Sequence, residues 1–182
     1  ESTGSEPDSE AEHFLTTLAQ ASEQGLVDAA VLARNERERA AFWAIRDNIG
    51  GLMELLPMAA FDISLPVTAM DAYLEHTGER LRSLLGELRW VIFGHLGDNN
   101  LHVAVRIGRE DPDLRHQVEE IVYSGLAAIG GSVSAEHGIG SDQRDFLHYS
   151  RSAAEIELMR TLKHALDPRN ILNPGKIFSF RE

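Results

Sequence analysis

The chain has no cysteine. That excludes disulfides, iron–sulfur clusters and thiolate metal sites, so any metal would have to be held by His, Asp or Glu. It also fits a reducing, cytoplasmic setting. No apolar run approaches the ~18 residues that a membrane span needs, and no stretch reads as a signal peptide. Positive charge is scarce: 17 Lys and Arg against 29 Asp and Glu leave a formal net charge of -12. That balance argues against general binding to nucleic acid, whose phosphates call for cations. An initiating methionine is missing too, since the chain begins at Glu1 and its first methionine is Met53. We read the chain as a piece of a longer protein, with "ESTGSEPDSE" a polar connection to what precedes it.

What is present is ordinary for a globular protein. The 182 residues, 43% of them hydrophobic, suffice for one domain with a substantial core and are thin for two. Residues 1–182 are therefore expected to form a single domain. Ala11, Phe14, Leu15 and Leu18 form an apolar stripe at helical spacing within residues 8–24, and Gly25 is a plausible stop. "VDAAVLA", 27–33, reads as a strand. "NERERAAFWAIRDNIGG", 35–51, has an Asn in the N-cap position and a Gly pair at its end, so it reads as a helix with a solvated start. "AAFDISLPV" alternates and reads as a strand ending at Pro66, its "DISLP" a core segment.

Val67, Met70, Leu74, Leu81 and Leu84 mark another helix, weakened by Gly78. Asp111-Pro112 opens a helix over "DPDLRHQVEEIVYSGLAAIGG", with Leu114, Val118, Ile121 and Val122 on one face. Residues 152–166 read as a helix with Ile156, Met159 and Leu162 inward, and "DPRNILNPGKIF" as a turn-rich tail. Helices and strands alternate, and residues 88–107 look like an antiparallel hairpin. The fold class is therefore α+β, a sandwich with helices on one face of a mixed or antiparallel sheet.

The hairpin carries the first chemical signal. "VIFGHLGDNNLHVAV", 91–105, holds His95 and His102. With Asp98-Asn99 as a two-residue turn, His95 would face His102, their Cβ atoms about 4.5–5.5 Å apart. Two imidazoles so placed can chelate one metal ion. Leu101, Val103, Val105 and Ile107 would fall on the opposite, core side with Leu88, Trp90 and Ile92. The pair taken alone equally suits histidines that cap loop groups or face water.

A second signal lies in "GGSVSAEHGIG", 130–140, a short strand running into a tight loop. Glu136 would complete a set of two histidines and one carboxylate, which suits catalytic zinc and other divalent ions with open positions. His137 would be free for proton transfer. The bland alternative is a Glu-His pair making loop hydrogen bonds. His13, His76, His116, His148 and His164 read as solvated or hydrogen-bonded.

"GHLGDNNLH", "GGSVSAEHGIG" and "LDPRNILNPGKIF", in this order and preceded by "FWAIRDNI" and "FDISLPV", resemble the C-terminal cap domain of FAD-linked oxidases of the vanillyl-alcohol-oxidase superfamily. The likeness covers roughly residues 40–178. It is strongest to the D-2-hydroxy acid dehydrogenases of the D-2-hydroxyglutarate, D-lactate and glycolate oxidase type. The resemblance implies a cap with a ferredoxin-like sheet and an N-terminal FAD-binding domain as partner. It implies FAD and a divalent ion, often zinc, as cofactors. His95, His102 and Glu136 would hold the metal, His137 would act on the substrate hydroxyl, and Arg46 would bind the substrate carboxylate. Asn173 and Lys176, in the "NPGK" tail, would return towards the flavin domain.

The chain also departs from the hydroxyglutarate pattern. Gly50 stands where a threonine is expected, Ala60 replaces a lysine, Ala104 an asparagine and Asn99 a glycine. The first three remove polar contacts, so a smaller or more apolar 2-hydroxy acid fits at least as well. Without the resemblance, Arg46 reads as a surface arginine paired with Asp47, and Asn173 and Lys176 as turn formers. The expected activity is oxidation of a D-2-hydroxy acid to a 2-oxo acid by the whole protein, the isolated chain being inactive. The alternatives are a degenerate cap serving as a metal-binding or assembly module, and a metal-dependent hydrolase using the same three ligands. An exposed sheet edge would allow a homodimer.

Overall fold

Residues 7–179 are described by the structure, a computed structural model; most of the polar start, "ESTGSE", lies outside the described residues. The chain divides into two compact units, Glu1–Ile49 and Gly50–Glu182.

In the first unit, α1 (Pro7–Glu23) ends at Gly25, whose φ of +69° suits a residue without Cβ. Phe14 and Leu18 of its stripe are half-buried, whereas Ala11 and Leu15 are exposed. The expected strand at 27–33 is an irregular, largely exposed segment. It has no pairing strand among the described residues, and its alanines bury too little to hold one. α2 (Glu36–Arg46) begins at Asn35, whose Oδ1 accepts from Glu38 N at 3.0 Å. It ends four residues before Gly50. Asp47, Asn48 and the Gly pair are all weak helix formers, and the chain tightens into a 3-10 stretch, Ile49–Leu55.

The second unit is built on a three-stranded antiparallel sheet. β1 (Met58–Ser64), β2 (Trp90–His95) and β3 (Asn100–Arg106) lie in the order β1-β3-β2. Alternation sends Ala59, Phe61, Ile63, Leu101, Val103 and Val105 to one face, where all are buried. That face is covered by α3 (Met70–Leu85) and α4 (Pro112–Tyr123). α3 inserts Met70, Tyr73 and Leu81; α4 inserts Leu114, Val118 and Val122. Gly78 is not a weakness here. A Cβ there would lie 3.2 Å from the Trp90 ring, so glycine lets helix and strand approach.

α4 starts as expected, Asp111 Oδ1 accepting from Leu114 N at 3.0 Å. It stops at Tyr123 rather than continuing to Gly131, because the chain turns through a 3-10 segment, Ala127–Ile129, to reach the free edge of β1. The strand expected in "GSVSAEHGIG" is reduced there to one bridge, Ser64 opposite Ser132. The Ser132 hydroxyl donates to Ser134 O at 2.9 Å and turns the chain away. With that bridge as a vestigial fourth strand, the order Ser132-β1-β3-β2 is the ferredoxin-like one.

α5 (Ala153–Leu166) opens with a capping box between Ser152 and Glu155. Ile156 and Met159 are half-buried, but Leu162 is exposed, against expectation. The tail then folds back on Asp167, which accepts from Ile171 N at 3.0 Å, Leu172 N at 2.9 Å and Lys163 Nζ at 2.5 Å. The Lys163 ammonium, assisted by those amides, holds the Asp167 carboxyl down at about 2. No helix among the described residues is long and apolar enough to cross a membrane.

Candidate metal and proton-transfer site

The face of the sheet opposite the core carries three rows of side chains that span all three strands. In strand-to-strand register they are Val91–Ala104–Ala60, Phe93–His102–Asp62 and His95–Asn100–Ser64. His95 therefore faces Asn100, not His102. The expected two-residue turn at Asp98-Asn99 gives way to a 3-10 turn, Leu96–Asp98, closed by Asn99 at φ 56°. This loop answers to tertiary contacts: Asn99 O accepts from Leu65 N at 3.0 Å, and Asn99 Oδ1 from Val67 N at 3.2 Å. A slip of two residues keeps every side chain on its face. The imidazoles are accordingly diagonal neighbours, edge to face, with ring centroids 5.6 Å apart.

Gly94 makes this geometry reachable, because a Cβ there would sit 2.3 Å from Asn100 O. Past the Ser132 bridge, Ala135 N donates to Asp62 O at 3.0 Å, which keeps the chain beside β1 as it delivers Glu136 and His137. His95, His102 and Glu136 each offer one ligand atom, all within 4.8 Å of one another. His95 Nε2 lies 3.7 Å from Glu136 Oε1, close to the roughly 3.4 Å that separates ligands on a tetrahedral zinc. Asn100, 1% exposed, donates to Glu136 Oε1 at 2.5 Å and so aims that carboxylate. The His137 ring stacks beside His102 at 6.3 Å and is largely open to solvent.

The sequence places Asp62 only in a core strand. It is 4% exposed, yet its side chain lies on the open face beside the histidines. Its Oδ2 accepts from Glu136 N at 2.8 Å and His137 N at 2.9 Å. Burial alone would raise its pKa. The two backbone amides, with the imidazoles of His137 and His102, outweigh that and hold it below the ordinary carboxylate value. One signal was available: an aspartate within an alternating strand goes against β propensity. Asn100 carried no comparable signal.

The remaining expected residues are placed differently. Arg46 ends α2 in the first unit, bonded to Asp47 Oδ1 at 2.9 Å and lying over the Trp43 ring. Asn173 is an exposed turn residue at φ 49°. Lys176 Nζ donates to Ser141 Oγ at 3.2 Å, and Ile177 N to Gly140 O at 2.8 Å. The "NPGK" tail thus docks on the loop that follows His137, outside the three-ligand cluster.

Comparison with known proteins gives the family. The model of the family described as FAD linked oxidases, C-terminal domain, matches residues 1–177. The chain is 39% identical over 180 residues to the mitochondrial D-2-hydroxyglutarate dehydrogenase of Bos taurus, covering 97% of this chain and 32% of that protein. It is 37% identical over 165 residues to the D-2-hydroxyglutarate dehydrogenase of Xanthomonas citri pv. viticola, covering 86% of this chain and 34% of that protein. For the enzyme of the same name from Stutzerimonas stutzeri, identity is 35% over 178 residues, 93% of this chain and 38% of that protein. The chain spans about a third of the length of these curated relatives. It belongs to the family of C-terminal domains of FAD-linked oxidases.

Proposed function

We propose that this chain is a single substrate-handling cap of an FAD-dependent dehydrogenase that oxidises a D-2-hydroxy acid to a 2-oxo acid. His95, His102 and Glu136 would hold a divalent cation, zinc by preference. What carries the reading is the convergence of two imidazoles and one carboxylate from β2, β3 and the 133–140 loop, within 4.8 Å of one another and open on one side. The donor set suits a borderline cation with open positions. When bound, such a cation supplies Lewis acidity to a hydroxyl, and flavin supplies a hydride acceptor.

The chain's own residues would do the rest. Asn100 keeps Glu136 turned to the cluster. His137, on the same loop and exposed, takes the hydroxyl proton on its imidazole. Arg46 would bind the substrate carboxylate through its planar fork, exchanging Asp47 for it. The tail at Asn173 and Lys176 would approach the flavin-bearing partner domain.

Substrate choice follows from the row beside His102. Val91, Ala104 and Ala60 offer it no polar group, and Gly50 adds none. We therefore favour a hydroxy acid with a short or apolar distal end over hydroxyglutarate, although the relatives compared above are named for the latter. The cytoplasm suits a chain without cysteine, and a homodimer would form through the edge of β2. The test of the metal reading is the metal content of the purified chain beside a His95→Ala, His102→Ala control. About one divalent ion per chain, lost in the control, is expected. No uptake after incubation with zinc and manganese would leave a degenerate or metal-free cap. Flavin reduction by D-lactate and longer apolar homologues, in the full-length protein, tests the substrate.

A further inference from the structure

We propose that Asp62 is the positioning residue of this site. Its buried carboxylate turns the Nδ1–H of His102 inward, so that Nε2 faces the cation, and it staples the backbone of Glu136 and His137 to the sheet. The proposal rests on the metal reading above but has an arm independent of it.

Three observations carry it. Asp62 stands directly opposite His102 in the β1–β3 ladder, so both side chains project from the same face. Its two oxygens are used unequally. Oδ2 takes both backbone amides of the Glu136-His137 step, while Oδ1 is fully buried with no hydrogen-bond partner among the described residues. A buried acceptor without a donor is costly and calls for one. The His102 Nδ1 atom lies 3.7 Å from that oxygen. A shift of under about 1 Å would bring it to hydrogen-bond distance.

The consequence is a choice of tautomer. A neutral imidazole has one N–H and one lone pair. If Nδ1 donates to Asp62, the lone pair is on Nε2, where a metal can take it, and the ring cannot rotate without losing the bond. Carboxylates behind metal-bound histidines generally act this way. One side chain thereby orients His102 and sets the backbone from which Glu136 and His137 project. His95 has a different neighbour, the Glu136 carboxylate itself.

Asp62→Asn separates this role from a structural staple. Its amide oxygen can still accept both backbone N–H groups, whereas its NH2 would donate to His102 Nδ1 and force the proton onto Nε2. The tautomer is read on the full 182-residue chain, labelled with [15N]histidine and free of metal, by long-range proton–nitrogen correlation at mildly alkaline pH. His102→Gln identifies the signal. The expected result is Nδ1–H in the wild type and Nε2–H in Asp62→Asn, with zinc affinity by calorimetry lowered about 10- to 100-fold. An unchanged tautomer and affinity in a folded Asp62→Asn would overturn the proposal and leave Asp62 a staple. Should that variant not fold, the wild type decides by itself, since Nε2–H at His102 would also overturn it. A wild type that takes up no zinc but shows the expected tautomers defeats the metal reading while upholding the Asp62–His102 contact.

Discussion

Two aspartates in the Gly50–Glu182 unit do the same local job and end differently. Asp62 and Asp167 are each 4% exposed, and each gathers two consecutive backbone amides. At Asp167 the set is complete. Oδ1 takes Ile171 N, Oδ2 takes Leu172 N, and Lys163 supplies the compensating charge. At Asp62 both amides crowd onto Oδ2, no lysine or arginine pairs with it among the described residues, and Oδ1 faces an imidazole. A carboxylate that only staples a turn satisfies all its acceptors and neutralises its charge. One that leaves an acceptor open beside a histidine has something further to bind.

Four perturbations would break or sharpen that contrast, beyond the Asp62 test itself. The largest effect is expected beneath Asp62. Ile63 is fully buried on the core side of the same strand, so Ile63→Ala should cost about 2–5 kcal/mol in denaturant unfolding. A cost below about 1 kcal/mol would mean that β1 does not rest on this core. Gly94→Ala comes next. A Cβ 2.3 Å from Asn100 O should force the hairpin apart for about 1–3 kcal/mol and weaken zinc uptake with it. Retained metal affinity in that variant would show that the register is not what aligns the ligands.

The third effect is confined to acid. The Asp167 carboxyl is depressed from 3.8 to about 2 in the folded chain. Its contribution is fully present above pH about 4 and is lost as pH falls through about 2, where the folded form also becomes protonated. Stability measured against pH should therefore fall over that window, and Asp167→Asn should flatten the fall. The smallest stability change is expected on the open face. Ala60→Lys should alter stability by no more than about 0.5 kcal/mol. In the full-length protein it should shift kcat/KM towards a hydroxy acid with a second carboxylate by roughly tenfold, the worth of one charge-assisted hydrogen bond. No shift would remove the Val91–Ala104–Ala60 row from the substrate contact.

Much of this was legible in the residues. Alternation along 88–107 separated Val103 and Val105 from His102 and Ala104 because strand side chains have a period of two. The caps at Asn35 and Asp111 were readable because their hydrogen bonds are local. The hairpin register was not. Asp98-Asn99 has good turn chemistry, yet the loop obeys contacts from Leu65 and Val67 some 30 residues away. The strand at 27–33 failed for the same kind of reason, since a strand requires a partner that its own sequence cannot supply. Arg46 shows the limit from the other side: its bond to Asp47 was the plain reading of neighbouring charges, and it is the bond observed.

The sequence by itself determined which side chains share a face and where helices begin, and it singled out His95, His102, Glu136 and His137 as candidates. These depend on short-range periodicity and on residue type. Only the tertiary structure decided that His95 meets Asn100 across the hairpin, that Glu136 closes on the two histidines, and that Asp62 stands behind His102. The last two join positions 34 to 41 residues apart. They are set by how β1 pairs with β3 and by where the chain returns at Ser132, and no local preference encodes either.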